Sequence, residues 1–400
     1  MRRSSPSREN ATTLPPLRLT GARVLRPDGF VEDAVTLAEG SICDGPGAEI
    51  DLRGYWLLPG IVDLHGDAFE RHMAPRNGVG FAMALGFASV DAELCAHGVT
   101  TAYLAQCFSW EGGKRGADYA EALIAARAEY AARADIRLQL RYETHFLDGE
   151  ARMLDAVRSG AVSYVVFNDH LPEALEMWAR APEQISAWAL QAGRSASEHM
   201  ALVEAAAARG PEVHASLARI AAAFREAGAK FGSHDDGTAE ARAEYDALGA
   251  HVCEFPTSRA AAAEARARGN PVLMGAPNVV RGGSQSGNIA AEGLIADGLV
   301  DALVSDYYYP ALAASAWALA DRGTLGFDAA WRLVSTQPAG ILAMSDRGML
   351  TPGARADIVA MNPATRRIEA TFVAGTPVHL AGETAARMLG ARGRQGLAAE

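Results

Sequence analysis

The stretch Leu58-Pro59-Gly60-Ile61-Val62-Asp63-Leu64-His65-Gly66-Asp67 ends in an imidazole and a carboxylate two positions apart. An apolar run entered through Pro-Gly and left through such a pair reads as a buried parallel strand whose carboxyl end presents metal ligands. Alternate strand residues point the same way, so His65 and Asp67 reach toward one ion, while Gly66 leaves the backbone room to approach it. Further apolar runs end alike, in Glu143-Thr144-His145, Asn168-Asp169-His170, His234-Asp235-Asp236 and Asp306. Imidazole nitrogen and carboxylate oxygen suit hard or borderline divalent metals. A lone buried histidine more often packs in a core; the joint placement of these groups at strand ends points to a metal centre with room for two ions.

Two other segments carry polar groups fit for an anion. After the first strand comes Phe69-Glu70-Arg71-His72-Met73-Ala74-Pro75-Arg76, which reads either as a solvated helical face or as a loop whose Arg76 clamps phosphate through its planar fork. The run Met274-Gly275-Ala276-Pro277-Asn278-Val279-Val280-Arg281-Gly282-Gly283-Ser284-Gln285-Ser286-Gly287-Asn288 combines glycine backbone with Ser, Asn and Arg donors. That combination suits phosphoryl oxygens, and no G-x-x-x-x-G-K loop is present.

Positioning such groups requires a large scaffold. The 400 residues exceed a single small core and suit one barrel plus an appended module, and 49% hydrophobic content without a membrane-length apolar run fits a globular enzyme. Candidate strands at Leu57–Leu64, Val99–Leu104, Ile136–Thr144, Val162–Asn168, Ala229–Ser233, His251–Phe255, Pro271–Gly275 and Ala302–Ser305 alternate with Ala-rich helical stretches, which predicts a (β/α)8 barrel over residues 58–345. Strand-like ends, residues 17–57 and 346–385, predict a small β-sandwich built from both termini, and residues 1–16, rich in Arg, Ser and Pro without an apolar centre, read as a disordered tail with no secretory signal. The formal charge of −11 disfavours nonspecific binding to nucleic acid or an anionic membrane, leaving a small-molecule substrate. Four scattered cysteines, Cys43, Cys95, Cys107 and Cys253, fit reduced thiols in a cytoplasm.

Taken together, L-P-G-I-V-D-L-H-G-D with the following E-R-H-M-A-P-R, then N-D-H, S-H-D-D-G-T, E-F-P-T, M-G-A-P-N-V-V-R-G-G-S-Q-S-G-N and S-D-Y resemble the PhnM proteins of the carbon–phosphorus lyase pathway, a branch of the amidohydrolase superfamily. These pieces span residues 58 to 307, the whole expected barrel. The departures are Asp67 where the usual amidohydrolase motif has a second His, Gly66 in place of a hydroxyl residue, and Asn168 in place of a more apolar one.

The resemblance implies cytoplasmic hydrolysis of α-D-ribose 1-methylphosphonate 5-triphosphate to the 5-monophosphate and diphosphate on two divalent ions, zinc foremost, with manganese or iron as alternatives. Since no lysine except Lys230 lies near a strand end, Glu143 takes the place of the carboxylated lysine that bridges many such centres. His170 replaces the histidine missing from the sixth strand, and Glu254 is a ligand or a partner to one. The implied metal ligands are then His65, Asp67, Glu143, His170, His234 and Asp306. Asp306, with His234 and Glu143, is catalytic, accepting the proton of the attacking water. Arg76, Asn278, Arg281, Ser284, Ser286 and Asn288 bind substrate. The alternative is hydrolysis of a C–N bond by a deacetylase or cyclic amidase, which would not need the Arg and Gly-rich cradle; a barrel kept only for assembly would lack the metal. Homodimers are common in the superfamily.

Overall fold

The computed structural model describes residues 15–76, 79–284 and 287–397. The tail expected over residues 1–16 falls, up to residue 14, outside the described residues. The chain divides into two compact units, one contributed by both ends up to Gly60 and from Ser345, the other formed by Ile61–Met344.

The terminal unit opens with strands β1 (Leu17–Arg26), β2 (Gly29–Ala38), β3 (Ser41–Cys43), β4 (Ala48–Asp51) and β5 (Trp56–Pro59). The long unit contributes β6 (Ile61–Gly66), β7 (Val99–Phe108), β8 (Asp135–Glu143), β9 (Tyr164–Asn168), β10 (Lys230–His234), β11 (Val252–Glu254), β12 (Val272–Gly275) and β13 (Ala302–Val304). The chain then returns to the terminal unit with β14 (Ile358–Asn362), β15 (Arg367–Val373) and β16 (Thr376–Leu380).

In the terminal unit one sheet runs β16-β15-β14-β5-β1-β2-β3, with β4 also pairing β1. Most pairings are antiparallel, β1 lying parallel to β4 and β5. Leu19, Val24, Val35, Leu57, Ile358 and Phe372 belong to its buried core. Along β1 the buried positions alternate as Leu17 and Leu19 and, past a register shift between Leu19 and Ala22, as Ala22 and Val24, the period-two pattern of a sheet wet on one side.

In the long unit β6 to β13 lie in chain order, every pair parallel. Parallel bridging of Gly66 to Asp306 joins the last strand's end to the first and closes the barrel. Val62, Leu64, Tyr103, Tyr164, Val166, Leu273 and Val304 fill one core cluster, as expected for strands buried on both faces. The apolar run expected as one strand over Leu57–Leu64 is instead divided at Gly60 between β5 and β6. Four helices, Leu171–Arg180, Pro182–Gln191, Ala196–Ala208 and Gly210–Glu226, stand between β9 and β10. Proline in the first turn starts two of them plus the last, and a Ser195/Glu198 capping box starts the third. Leu171, Ile185, Met200 and Val203 pack there with Trp110 into a satellite core. Among the described residues no helix is long and apolar enough to cross a membrane.

Candidate active site

The carboxyl ends of the barrel strands converge on Glu254, the last residue of β11, which is fully buried. One carboxylate oxygen accepts from Gln139 Nε2 (2.6 Å) and the Tyr164 hydroxyl (2.5 Å). The other faces Nδ1 of His65 (2.8 Å) and Nδ1 of His234 (3.2 Å). Burial alone would raise the Glu254 carboxyl, but the two imidazoles outweigh it and hold it well below the usual carboxylate range. For His65 the balance runs the other way round: burial opposes its proton, yet Glu254 raises its pKa. His234, whose desolvation prevails, is lowered. A carboxylate that takes the Nδ1–H of an imidazole fixes the tautomer and leaves the Nε2 lone pair as acceptor. Two rings prepared in this way, stacked with centroids 5.1 Å apart, make a donor set that fits a divalent ion. Donor atoms of His65, His234 and Glu254 all lie within 4.8 Å of one another.

Asp67 and Asp306 flank the rings. Asp306 N donates to His65 O (3.0 Å) and Asp67 N donates to Asp306 O (2.8 Å), so the bonds that close the barrel also set the two carboxylates side by side. Burial first and the Asp67 charge second push the Asp306 carboxyl to about 6, the behaviour of two carboxylates sharing a site that favours a cation. Asp235, Phe255 and Asp306 have left-handed backbone, at φ 61°, 51° and 54°. Such conformations cost about 1–3 kcal/mol each in a non-glycine residue; here Asp235 and Phe255 directly follow β10 and β11, and Asp306 comes two residues after β13.

Gly66 is the exception to the rule that glycine merely gives freedom: a Cβ there would lie 2.6 Å from Ser305 Oγ, 2.8 Å from Asp63 Oδ2 and 2.9 Å from the Tyr309 ring. Ser305 is itself locked, its N and Oγ donating to buried Asp63 at 2.9 and 2.6 Å. Gly66→Ala should therefore lower unfolding stability by about 1–3 kcal/mol, read as a shift in denaturant midpoint.

A second group lies at the ends of β8 and β9. Glu143 accepts from His170 N (3.1 Å) and pairs with His170 Nδ1, and Glu111 Oε1 is 3.8 Å from the same ring nitrogen. Ligand atoms of Glu111, Glu143 and His170 also fall within 4.8 Å of one another. Glu111 further receives Arg115 Nη1 (2.8 Å) and the Trp188 indole N–H. Of the six expected ligands, His65 and His234 thus fall in one group and Glu143 and His170 in another, while Asp67 and Asp306 belong to neither.

A cleft of about 180 Å³ opens at this site. His65, Arg141, His234, Asp235 and Asp306 line it from the barrel, and Asn278, Ser284 and Asn288 from the Gly-rich segment. That segment begins as helix Ala276–Arg281, ended by left-handed Gly282, and Asn278 ties its return by donating to Ile289 O (3.3 Å) and accepting from Ala291 N (3.0 Å). Exposed Arg281 donates to the hydroxyl of Tyr307, a lining residue (3.1 Å). Arg76 is exposed, bridged to Val79, and is not among the residues that line the cleft. Ser286 lies outside the described residues.

Sequence reasoning missed Arg141, Gln139, Tyr164 and Glu111. A signal for two of them exists: Gln139, Arg141 and Glu143 alternate along β8, so they share a face, and a polar row on an apolar barrel strand marks the interior of a site.

The amidohydrolase family model matches residues 56–378. Over 324 residues the chain is 36% identical to the α-D-ribose 1-methylphosphonate 5-triphosphate diphosphatase of Escherichia coli (strain K12), covering 78% of this chain and 84% of that one. Similar folds are seen in the β-aspartyl dipeptidase of Fervidobacterium islandicum AW-1 (TM-score 0.62, 14% identity, 91% of this chain and 97% of that). The N-acetyl-D-glucosamine-6-phosphate deacetylase of Mycobacterium smegmatis is alike too (TM-score 0.60, 16% identity, 91% of this chain and 99% of that). Barrel, strand-end donors and an extended match to both family and diphosphatase make the chain a member of the amidohydrolase family, in its PhnM branch.

Proposed function

We propose that this protein is a metal-dependent phosphohydrolase that cleaves α-D-ribose 1-methylphosphonate 5-triphosphate to the 5-phosphate and diphosphate in phosphonate catabolism. The observation that carries this reading is the pairing of a diphosphatase relative with a cleft whose lining joins the His65–His234 donor set to Asn278, Ser284 and Asn288. His65, His234, Asp67 and Asp306 would hold one divalent ion, and Glu143 with His170 a second; zinc, manganese and iron all suit such donors. Bound there, the ions supply water activation and charge neutralisation.

The chain's own residues do the rest. Glu254 keeps both rings in the tautomer that offers Nε2, braced by Gln139 and Tyr164. Asp306, held by its backbone beside Asp67, accepts the proton of the attacking water. Asn278, Ser284 and Asn288 orient the triphosphate, with Arg281 acting at the rim through Tyr307. Four free cysteines support a reducing, cytoplasmic setting. The test is to give metal-loaded protein the ribose triphosphate and an N-acetylated amino sugar side by side. Diphosphate release is expected from the first and nothing from the second; faster amide cleavage would transfer the assignment to C–N hydrolysis.

A further inference from the structure

Arg141 is nine-tenths buried and lines the cleft, and its one ion pair, with Asp67, is a long one. Its Nη2 lies 3.1 Å from His234 Nε2, its Nε 3.4 Å from Asn168 Oδ1, and the nearest carboxylate oxygen among the described residues, Asp67 Oδ2, is 4.0 Å from Nη1. A neutral ring nitrogen and an amide oxygen do not neutralise a guanidinium. Arg242, the other deeply buried arginine of the barrel's β10–β11 side, shows the contrast, with Asp236 Oδ2 at 3.1 Å, Ser233 Oγ at 2.7 Å and carbonyl oxygens around it. Burying a charge whose counter-charge stands at the limit of an ion pair is costly, so an anion brought into the cleft would complete it. Arg141 also stands where that anion must react, between His234, Asp67 and Asn168 and two positions before Glu143 on the same strand face. Its planar fork matches two oxygens of a tetrahedral phosphoryl group.

We propose that Arg141 binds the phosphoryl group under attack and is the specificity residue that fits this barrel to phosphorus anions over neutral amide carbonyls. The inference rests on the phosphohydrolase reading above, and binding measurements separate the two. Inorganic diphosphate and, separately, methylphosphonate are titrated calorimetrically into the metal-loaded full chain, into Arg141→Met and into Arg141→Lys, with metal content measured by elemental analysis on each sample. Arg141→Met should keep the wild-type metal content and bind diphosphate roughly 10- to 100-fold more weakly, the loss of one or two charge-assisted hydrogen bonds. Arg141→Lys should recover part of that affinity as a point charge without the fork. Should the methionine variant not fold, the lysine variant carries the same comparison, with a smaller loss of affinity at full metal content expected. Unchanged diphosphate affinity would overturn the proposal, as would weakening confined to methylphosphonate, which would put Arg141 at the other end of the substrate. Loss of metal in step with affinity would also overturn it, because Arg141 would then act on the ligands. Wild-type protein that binds diphosphate through Arg141 but does not turn over the triphosphate would leave this inference standing and remove the proposed reaction.

Discussion

Glu254→Ala should destabilise the protein by about 3–5 kcal/mol and cut metal affinity by roughly 10- to 100-fold. The first effect follows from burial. The carboxylate is wholly enclosed and serves four partners, so its removal strands the Tyr164 hydroxyl and the Gln139 amide in the barrel and leaves two imidazoles without their counter-charge. The second follows from geometry, since neither ring is then held with Nε2 toward the cleft. Glu254→Gln separates the two effects: shape is preserved and most stability with it, whereas an amide presents both rings with a weaker and partly mismatched partner. Denaturant unfolding and metal titration on both variants read this directly. If the glutamine variant kept full metal affinity, the role assigned to Glu254 in setting the tautomers would be wrong.

Asp306→Asn should lower kcat by about 100- to 10,000-fold while leaving stability unchanged or slightly raised. The fold contribution of this residue lies in its backbone, which bonds His65 O and Asp67 N, and asparagine adopts the left-handed conformation at φ 54° as readily as aspartate. What disappears is the carboxylate, and with it the repulsion from Asp67 that helps raise its pKa. A purely structural Asp306 would show the reverse, a loss of melting temperature with turnover per folded molecule intact.

The barrel was legible because its strands are apolar runs that stop in polar, chemically capable residues, and the helices between them follow in order. Boundaries slipped where one signal served two elements: Leu57–Leu64 is continuous in hydropathy, but Pro59-Gly60 divides it between β5 and β6. The four helices between β9 and β10 begin at or beside Pro172, Pro182, Ser195 and Pro211. Within the site, attention to strand ends singled out His65, His234, Glu143 and Asp306 and passed over Gln139 and Arg141, which lie deeper on the face of β8 that ends in Glu143. Glu111 sits in the turn after β7, and only the fold brings it within reach of His170. Arg76, which charge and a neighbouring proline suggested as a phosphate clamp, is exposed and does not line this cleft.

The most direct test of the account is phosphorus-31 NMR of α-D-ribose 1-methylphosphonate 5-triphosphate turned over by metal-loaded protein in oxygen-18 water. Attack at the α-phosphorus predicts diphosphate free of label and a 5-monophosphate whose phosphorus signal carries the isotope shift. Label in diphosphate, or release of orthophosphate, would contradict it by moving the attack to the β- or γ-phosphorus, and an unchanged spectrum from protein with its metal bound would contradict the phosphohydrolase assignment itself.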